Sequence, residues 1–487
     1  MTSRCFSGIV ISLALTVSRS FSQQPPPSET DVKPNIIFIL ADDLGYGELG
    51  CYGQTKIKTP NIDRLAGEGM RFTQHYSGSP VCAPSRCTLL TGKHTGHTYV
   101  RDNKEMGGWG PDEPEGQLPL PADTITIATL LQAHGYATGG FGKWGLGGPG
   151  STGHPNNQGF DHWYGYLCQR IAHNYYPTHL WRNDEKHILQ GNEYFAAHQR
   201  IAEAPADPDG YDRFRGEQFA PDLMIGDALQ FVREHRNEPF FLYYATPVPH
   251  VAIQVPDESL EPYLSAWEET PYLGNRGYLP HPTPRAAYAA MISRMDRDVG
   301  SLLALLEELG LTDKTIVMFS SDNGPTFNGG SDAKFFESAG PLRGLKASLY
   351  EGGIRVPLIV RWPGKTPAKS VTEHISAFWD FLPTICDVTG IDVPSGIDGV
   401  SMLPTLLGNP QRRNAYLYWE YKGRQVVRQG RWKAIRKKES GAIELYDLQG
   451  DIAESRDVAA DQEALVARLS QIMQQARTES EHFPLHK

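Results

Sequence analysis

Asn35-Ile36-Ile37-Phe38-Ile39-Leu40, followed at once by Ala41-Asp42-Asp43, is the stretch from which the architecture can be read. A continuous apolar, β-rich run without alternation is the pattern of a strand buried on both faces of a sheet. Three more runs repeat it. Tyr136 to Phe141 ends in Gly142-Lys143-Trp144-Gly145-Leu146-Gly147, Pro239 to Ala245 opens onto Pro247-Val248-Pro249-His250, and Thr315 to Phe319 leads into Ser320-Ser321-Asp322-Asn323-Gly324. Helix-like segments lie between them. One is capped by Asp123 and runs through His134, one spans Leu223 to His235, and one spans Ala286 to Leu309 with Met291, Met295, Val299, Leu302, Leu303 and Leu306 at helical spacing. Alternating strands and helices predict an α/β fold, a large mixed, mostly parallel sheet sandwiched by helices. Ligands of such sheets bind at the carboxyl ends of the strands, where Asp42, Asp43, Lys143, His250, Asp322 and Asn323 would converge.

Outward from that edge, the stretch with the strongest chemical signal is Val81-Cys82-Ala83-Pro84-Ser85-Arg86. Pro84 suits a first helical position, which places Cys82 just before a helix running through Leu90. Backbone N–H groups and the helix dipole favour an anion there, and Arg86, one turn on, adds a permanent cation. Asp42, Asp43, Asp322 and Asn323 present only oxygen ligands, which suits a hard divalent cation, Ca²⁺ or Mg²⁺, better than zinc. Alone, each pair is ordinary turn chemistry. Read together at the ends of two strands, the pairs become a candidate ligand set.

The string CxPSRxxLxTG over Cys82 to Gly92 resembles the signature of the type I sulfatases of the alkaline-phosphatase-like superfamily. The resemblance implies that Cys82 is oxidised to Cα-formylglycine by a maturase, and that Asp42, Asp43, Asp322, Asn323 and the converted Cys82 hold Ca²⁺. It extends to Lys143 in a GKWHLG-like segment, to Lys346 ahead of Tyr350-Glu351-Gly352-Gly353, and to His250 in a Pro-His motif. It implies that Arg86, Lys143 and Lys346 surround a sulfate group and that His250 protonates the leaving alcohol. A hydrated aldehyde carries two hydroxyls on one carbon, one to attack sulfur and one whose deprotonation releases sulfate. The family histidine that takes this last proton is replaced by Gly145. His97, beyond the Cys82 helix, and His173, in Gln169-Arg170-Ile171-Ala172-His173, are candidates to replace it, as are a metal-bound carboxylate and water.

The flanks complete the reading. Arg4, the apolar run Ile9 to Val17 and Ser20-Phe21-Ser22 predict a signal peptide over residues 1–22 and a secreted or periplasmic protein without a membrane span. Residues 23–33 read as a linker, 34–413 as the catalytic domain, and 414–487 as a small α+β subdomain resembling the sulfatases' C-terminal one. In that subdomain Tyr416 to Tyr421, Arg424 to Arg428, Trp432 to Arg436 and Ile443 to Leu448 are predicted strands, and Gln462 to Arg477 a helix. Gly147 to Asp222 and Val255 to Pro284 lack periodicity and are expected to form loops over the site. Within them His173, Tyr175, Tyr176, Trp181 and Arg182 are candidates for a sugar pocket. A net charge of −10 and no basic stripe argue against nucleic acid. Six cysteines, with Cys5 in the signal and Cys82 converted, leave four that permit disulfides. The expected activity is hydrolysis of sulfate monoesters, of sulfated carbohydrates and aryl sulfates. Its rivals are a phosphodiesterase or phosphonate hydrolase of the same superfamily, and a non-catalytic protein that binds sulfated glycans.

Overall fold

The computed structural model describes residues 1–2 and 33–487, apart from 109, 111, 196, 199–207, 412–413, 439–440 and 486–487. The expected signal peptide and linker fall almost wholly outside the described residues. Among the described residues no helix is long and apolar enough to cross a membrane.

The central strand is Asn35–Ala41, and its continuous apolar run is explained by the two cores it serves. Ile37, Ile39 and Ala41 belong to one buried cluster, with Ile62 and Leu65 from the helix Pro60–Glu68, Met224 and Phe231 from Ala220–Glu234, and Met291 to Leu306 from Pro284–Glu308. Ile36, Phe38 and Leu40 belong to the other, with Leu89 and Leu90 from Cys82–Thr91, Leu131 from Ile127–Ala133, and Phe381 and Ile385 from Phe381–Thr389. Period-two alternation thus buries every residue of the strand, half on each face. Phe38 meets Phe381 edge-on, with ring centroids 4.7 Å apart. Truncating such a core aromatic to alanine costs about 3–5 kcal/mol.

Among the described residues ten strands form the main sheet. From edge to edge they are Ser370–Thr372, Met70–Phe72, Leu358–Arg361, Thr315–Ser321, Asn35–Ala41, Phe240–Ala245, Ala137–Lys143, His162–Tyr166, His179–Arg182 and Glu185–Ile188. The five from Thr315–Ser321 to His162–Tyr166 pair parallel throughout, so their carboxyl ends share one edge. Leu358–Arg361 and His179–Arg182 run against their neighbours, which makes the sheet mixed.

Three expectations need correction. The helix Ile127–Ala133 is capped by Thr126, not Asp123, because Thr126 and Thr129 form a reciprocal capping box. Cys82 is the first helical residue instead of the one before it, and Pro84 lies two residues inside. Gly147 to Asp222 is not all loop, since it contributes the last three strands of the sheet. The outermost, Glu185–Ile188, is exposed at every position and so carries no apolar pattern to read.

Among the described residues four strands form a separate, antiparallel sheet: Leu417–Tyr421, Arg424–Gln429, Trp432–Arg436 and Ile443–Asp447, paired in chain order. One face packs Tyr418, Val427, Ala434 and Leu445 on Leu469 and Met473 of the helix Glu463–Gln475. The other packs Trp419, Val426 and Ile435 on Tyr76 and Trp379 of the main body.

Candidate active site

The carboxyl ends of three adjacent strands are laced together at the main sheet's edge. Asp42 N donates to Val248 O at 3.0 Å, and Asp322 N donates to Ala41 O at 3.0 Å. Asp43 adopts a left-handed conformation, φ 65°, that aspartate tolerates better than most residues. The turn is pinned by Asp43 N on Asp322 Oδ1 at 3.1 Å and Leu44 N on Ser321 Oγ at 2.9 Å. Asp42, Asp43, Asp322 and Asn323 are all fully buried.

Cys82 enters from the opposite side, at the first position of Cys82–Thr91. Val81 is an extended N-cap with no side-chain bond. The first turn is fixed instead by Asn103 Oδ1, which accepts from Ala83 N at 3.0 Å, and by Ser85 Oγ, which accepts from Gly78 N at 3.1 Å. Gly92, at φ 68°, closes the helix in the left-handed region. Cys82 Sγ stands 3.4 Å from Asp42 Oδ1, 3.9 Å from Asp43 Oδ1 and 3.5 Å from Lys346 Nζ. Burial, then the charge of Asp42, pushes the thiol far up, so it is held protonated and is a poor nucleophile as it stands.

Fixed cations interleave with the carboxylates. Arg86 places Nε and Nη2 at 3.0 and 2.9 Å from Asp322 Oδ2, and its Nη1 donates to the carbonyl of Lys143. Lys143 Nζ donates to Asp42 Oδ2 at 2.5 Å, and Lys346 Nζ to Asp43 Oδ2 at 2.8 Å. Burial opposes charge on Asp42, yet Lys143, His250 and Arg86 hold its carboxyl well below the ordinary range. Burial and the adjacent Asp42 push Asp322 up to about 7. His250 Nε2 lies 3.5 Å from Asp43 Oδ2, and its Nδ1 donates to Val251 O. Burial, then Lys346, lowers His250 to about 4.

The donor set fits a hard divalent cation. Ligand atoms of Asp42, Asp43, Cys82 and His250 lie within 4.8 Å of one another. Asn323 Nδ2 is used by Asp43 Oδ1 at 2.7 Å, while the buried Asn323 Oδ1 has no hydrogen-bond partner. A buried carbonyl oxygen left open beside three carboxylates is the arrangement a cation satisfies.

Of the two histidines considered in place of a side chain at 145, the structure brings one to the site. His173 stacks on His250 with centroids 3.7 Å apart, and its Nε2 is 3.5 Å from Lys143 Nζ. His97 instead pairs its Nδ1 with Asp398 Oδ1 at 2.9 Å and stacks on His94, outside the contacts of Cys82. Gly145 has φ 86°, and a Cβ on it would lie 2.7 Å from the Gln169 side chain. Gln169 therefore fills the space into which a side chain at 145 would project. Of the expected sugar-pocket residues, two are committed elsewhere. Tyr175 is fully buried, with its hydroxyl donating to the carbonyls of Pro247 and His250, and Arg182 Nη1 pairs with Asp227 at 2.6 Å. Two residues not anticipated, His198 and Tyr278, reach the site: His198 hydrogen-bonds His173, and its ring lies 4.7 Å from that of Tyr278. A lone histidine and a lone tyrosine in aperiodic loops carry no sequence signal. The five described cysteines are free thiols, with no disulfide among the described residues.

Comparison with known proteins gives this geometry a lineage. The sequence matches the Sulfatase family over residues 34–391 and the family "N-sulphoglucosamine sulphohydrolase, C-terminal" over residues 345–479. It is 30% identical to an N-acetylgalactosamine-6-O-sulfatase of Bacteroides thetaiotaomicron, covering 96% of this chain and 97% of that protein. It is 34% identical to human arylsulfatase A, over 82% of this chain and 74% of that one. Its fold superposes on the crystal structure of Ps i-CgsB in complex with k-i-k-neocarrahexaose with a TM-score of 0.73 at 29% identity, covering 91% of this chain and 92% of that one. The chain thus belongs to the type I sulfatases of the alkaline-phosphatase-like superfamily, and it is a sulfuric ester hydrolase.

Proposed function

We propose that the protein hydrolyses sulfate monoesters of carbohydrates, using formylglycine derived from Cys82 and a divalent cation, of which Ca²⁺ is the first choice and Mg²⁺ the second. The observation that carries this is the position of Cys82 Sγ, 3.4 Å from the Asp42 carboxylate and 3.5 Å from the Lys346 ammonium. An oxygen in that place faces cation ligands on one side and an anion-binding group on the other. When present, formylglycine hydrate supplies the oxygen nucleophile and the cation activates it.

The chain's own residues do the rest. Asp42, Asp43, Asp322 and Asn323 hold the cation. Arg86, which the resemblance sets against the sulfate, has its N–H groups on Asp322 and on the carbonyl of Lys143, and there it keeps that carboxylate oriented. Lys143 and Lys346 bind the negative oxygens of the sulfuryl group and stabilise charge that grows in the transition state. With Nδ1–H committed to Val251 O, His250 presents Nε2 to the site, where its protonated form donates to the leaving oxygen. An anionic substrate raises the proton affinity of that nitrogen by opposing the effect of Lys346. His173, stacked on His250 and beside Lys143, is the histidine placed for the proton-accepting role that Gly145 has no side chain to perform, with a metal-bound carboxylate and water as the alternatives. We assign the chemistry to residues 34–413 and a buttressing role to 414–487.

The carbohydrate preference is supported by the relative named an N-acetylgalactosamine-6-O-sulfatase and by the neighbour in complex with k-i-k-neocarrahexaose. The test is release of inorganic anion by enzyme produced with a formylglycine-generating maturase. Aryl sulfate, aryl phosphate and 6-O-sulfated N-acetylgalactosamine oligosaccharides are compared, with Cys82→Ala as control. Sulfate release that exceeds phosphate release and vanishes in Cys82→Ala is expected. Faster phosphate release would favour a phosphohydrolase. Glycan binding unchanged by Cys82→Ala, with no turnover, would favour a binding protein.

A further inference from the structure

Lys346 reaches Cys82 from a loop held by the small antiparallel sheet. We propose that Lys433 of that sheet is a positioning residue, acting through Glu351 to set the Lys346 loop in register with the Cys82 loop. The proposal rests on the reading of Lys346 as a sulfuryl-binding cation.

The loop 343–350 has no regular structure, and Ala347 within it lies at φ 64°. Backbone bonds set it beside the main body: Lys346 N donates to Pro325 O at 3.0 Å, Ala347 N to Pro80 O at 2.9 Å, and Gly352 N to Arg343 O at 2.7 Å. Further anchors come from the small sheet and the turn that follows it. Arg343 donates to Glu454 O at 2.7 Å, and Tyr350 Oη donates to Glu444 Oε2 at 2.7 Å. Glu351 N, at the loop's end, donates to Glu454 Oε2 at 2.7 Å.

Lys433 is fully buried and bridges Glu351 Oε1 and Glu454 Oε1, each at 2.9 Å. The second oxygen of Glu351 accepts from Tyr76 Oη at 2.6 Å and from Arg355 at 3.2 Å. Tyr76 belongs to the short strand His75–Tyr76, from which the chain runs to Cys82. On the way, Ser77 O accepts from Trp419 Nε1 of the small sheet at 2.9 Å. One carboxylate therefore ties the Lys346 loop to the Cys82 loop, and Lys433 fixes that carboxylate.

Without the Lys433 ammonium, Glu351 and Glu454 face each other in a low-dielectric setting and must separate or take up a proton. Either response shifts the loop. A displacement of about 1 Å in a charge-stabilising group can lower a rate by about 100-fold.

The experiment is a double-mutant cycle on matured enzyme, reading kcat/KM for an aryl sulfate in wild type, Lys433→Met, Lys346→Ala and the double variant. Lys433→Met is expected to lower kcat/KM about tenfold, and the double variant to match Lys346→Ala within about twofold. Lys433→Arg should recover most of the loss. Multiplicative losses would overturn the proposal and leave Lys433 merely structural. An unaffected Lys346→Ala would instead overturn the reading of Lys346, which separates the two failures. Should Lys433→Met not fold, Glu351→Gln, which discharges the carboxylate that Lys433 holds, repeats the cycle, and multiplicative losses there overturn the proposal equally. As a readout without turnover, calorimetry of inorganic sulfate binding to Cys82→Ala protein should show Lys433→Met and Lys346→Ala weakening the same term, singly and not cumulatively.

Discussion

Two buried clusters of opposite charges lie on either side of the Lys346 loop, and they are built on different plans. In the cluster of Lys433, Glu351, Glu454 and Arg355, protein cations and donors gather on the carboxylates: Glu351 receives Lys433, Tyr76 and Arg355, and Glu454 Oε1, without a hydrogen bond, faces the Lys433 ammonium at 2.9 Å. In the cluster of Asp42, Asp43, Asp322, Arg86, Lys143 and Lys346, charge is just as dense, yet Asn323 Oδ1 is left open and the thiol of Cys82 sits among the charges. A closed cluster spends its donors on holding loops together. An open one keeps unsatisfied positions for an ion and a substrate, and there strong charges stand ready before the reaction begins.

The contrast breaks most visibly at Lys346. Lys346→Ala is expected to lower kcat/KM by about 100- to 1,000-fold while thermal unfolding shifts little, because that side chain serves charge in the transition state. An equal loss of melting temperature, seen by calorimetry, would make the open cluster structural too. Next in size is His250→Ala, expected to cost about 100-fold with sugar sulfates and much less with a nitrophenyl sulfate, whose leaving group needs no proton. Equal losses on both substrates would remove His250 from the general-acid role.

The closed cluster is sharpened by pH. Glu351 is buried, and Lys433 and Arg355 more than offset that burial, lowering it from 4.5 to about 2. A carboxyl with a depressed folded pKa contributes stability above its unfolded value, and that stability is lost as pH falls from 4.5 toward 2. Denaturant titrations of Glu351→Gln should therefore show lower stability at neutral pH and a shallower decline through that acid window. An unchanged slope would mean that the pair does not stabilise the fold. The smallest effect is at Gly145: Gly145→Ala, forced to φ 86° and against Gln169, should lose about 1–2 kcal/mol of stability.

What could be read from the chain follows from where the chemistry sits. Asp42, Asp43, Lys143, His250, Asp322 and Asn323 follow apolar runs directly, so strand and site are read in one stroke, and the parallel core of the sheet makes their convergence automatic. Cys82 and Arg86 share one helical turn. Contacts made only by the tertiary fold were beyond reach. Gln169 fills the space beside Gly145 from a loop with no period, His198 bonds His173 across another, and Lys433 meets Glu351 across 82 residues. The strand Glu185–Ile188 was hidden because all four residues face solvent. Asp123 reads as a cap because aspartate and threonine cap alike, and only the Thr126–Thr129 reciprocity decides between them.

The mass of the tryptic peptide that contains Cys82, from protein made with a competent maturase, bears most directly on the chemistry. A thiol converted to an aldehyde loses about 18 mass units, and this loss is expected in the active preparation and absent when the maturase is withheld. A Cys82 peptide that keeps its thiol mass in a preparation that still releases sulfate would contradict formylglycine catalysis, whatever the geometry of the surrounding charges.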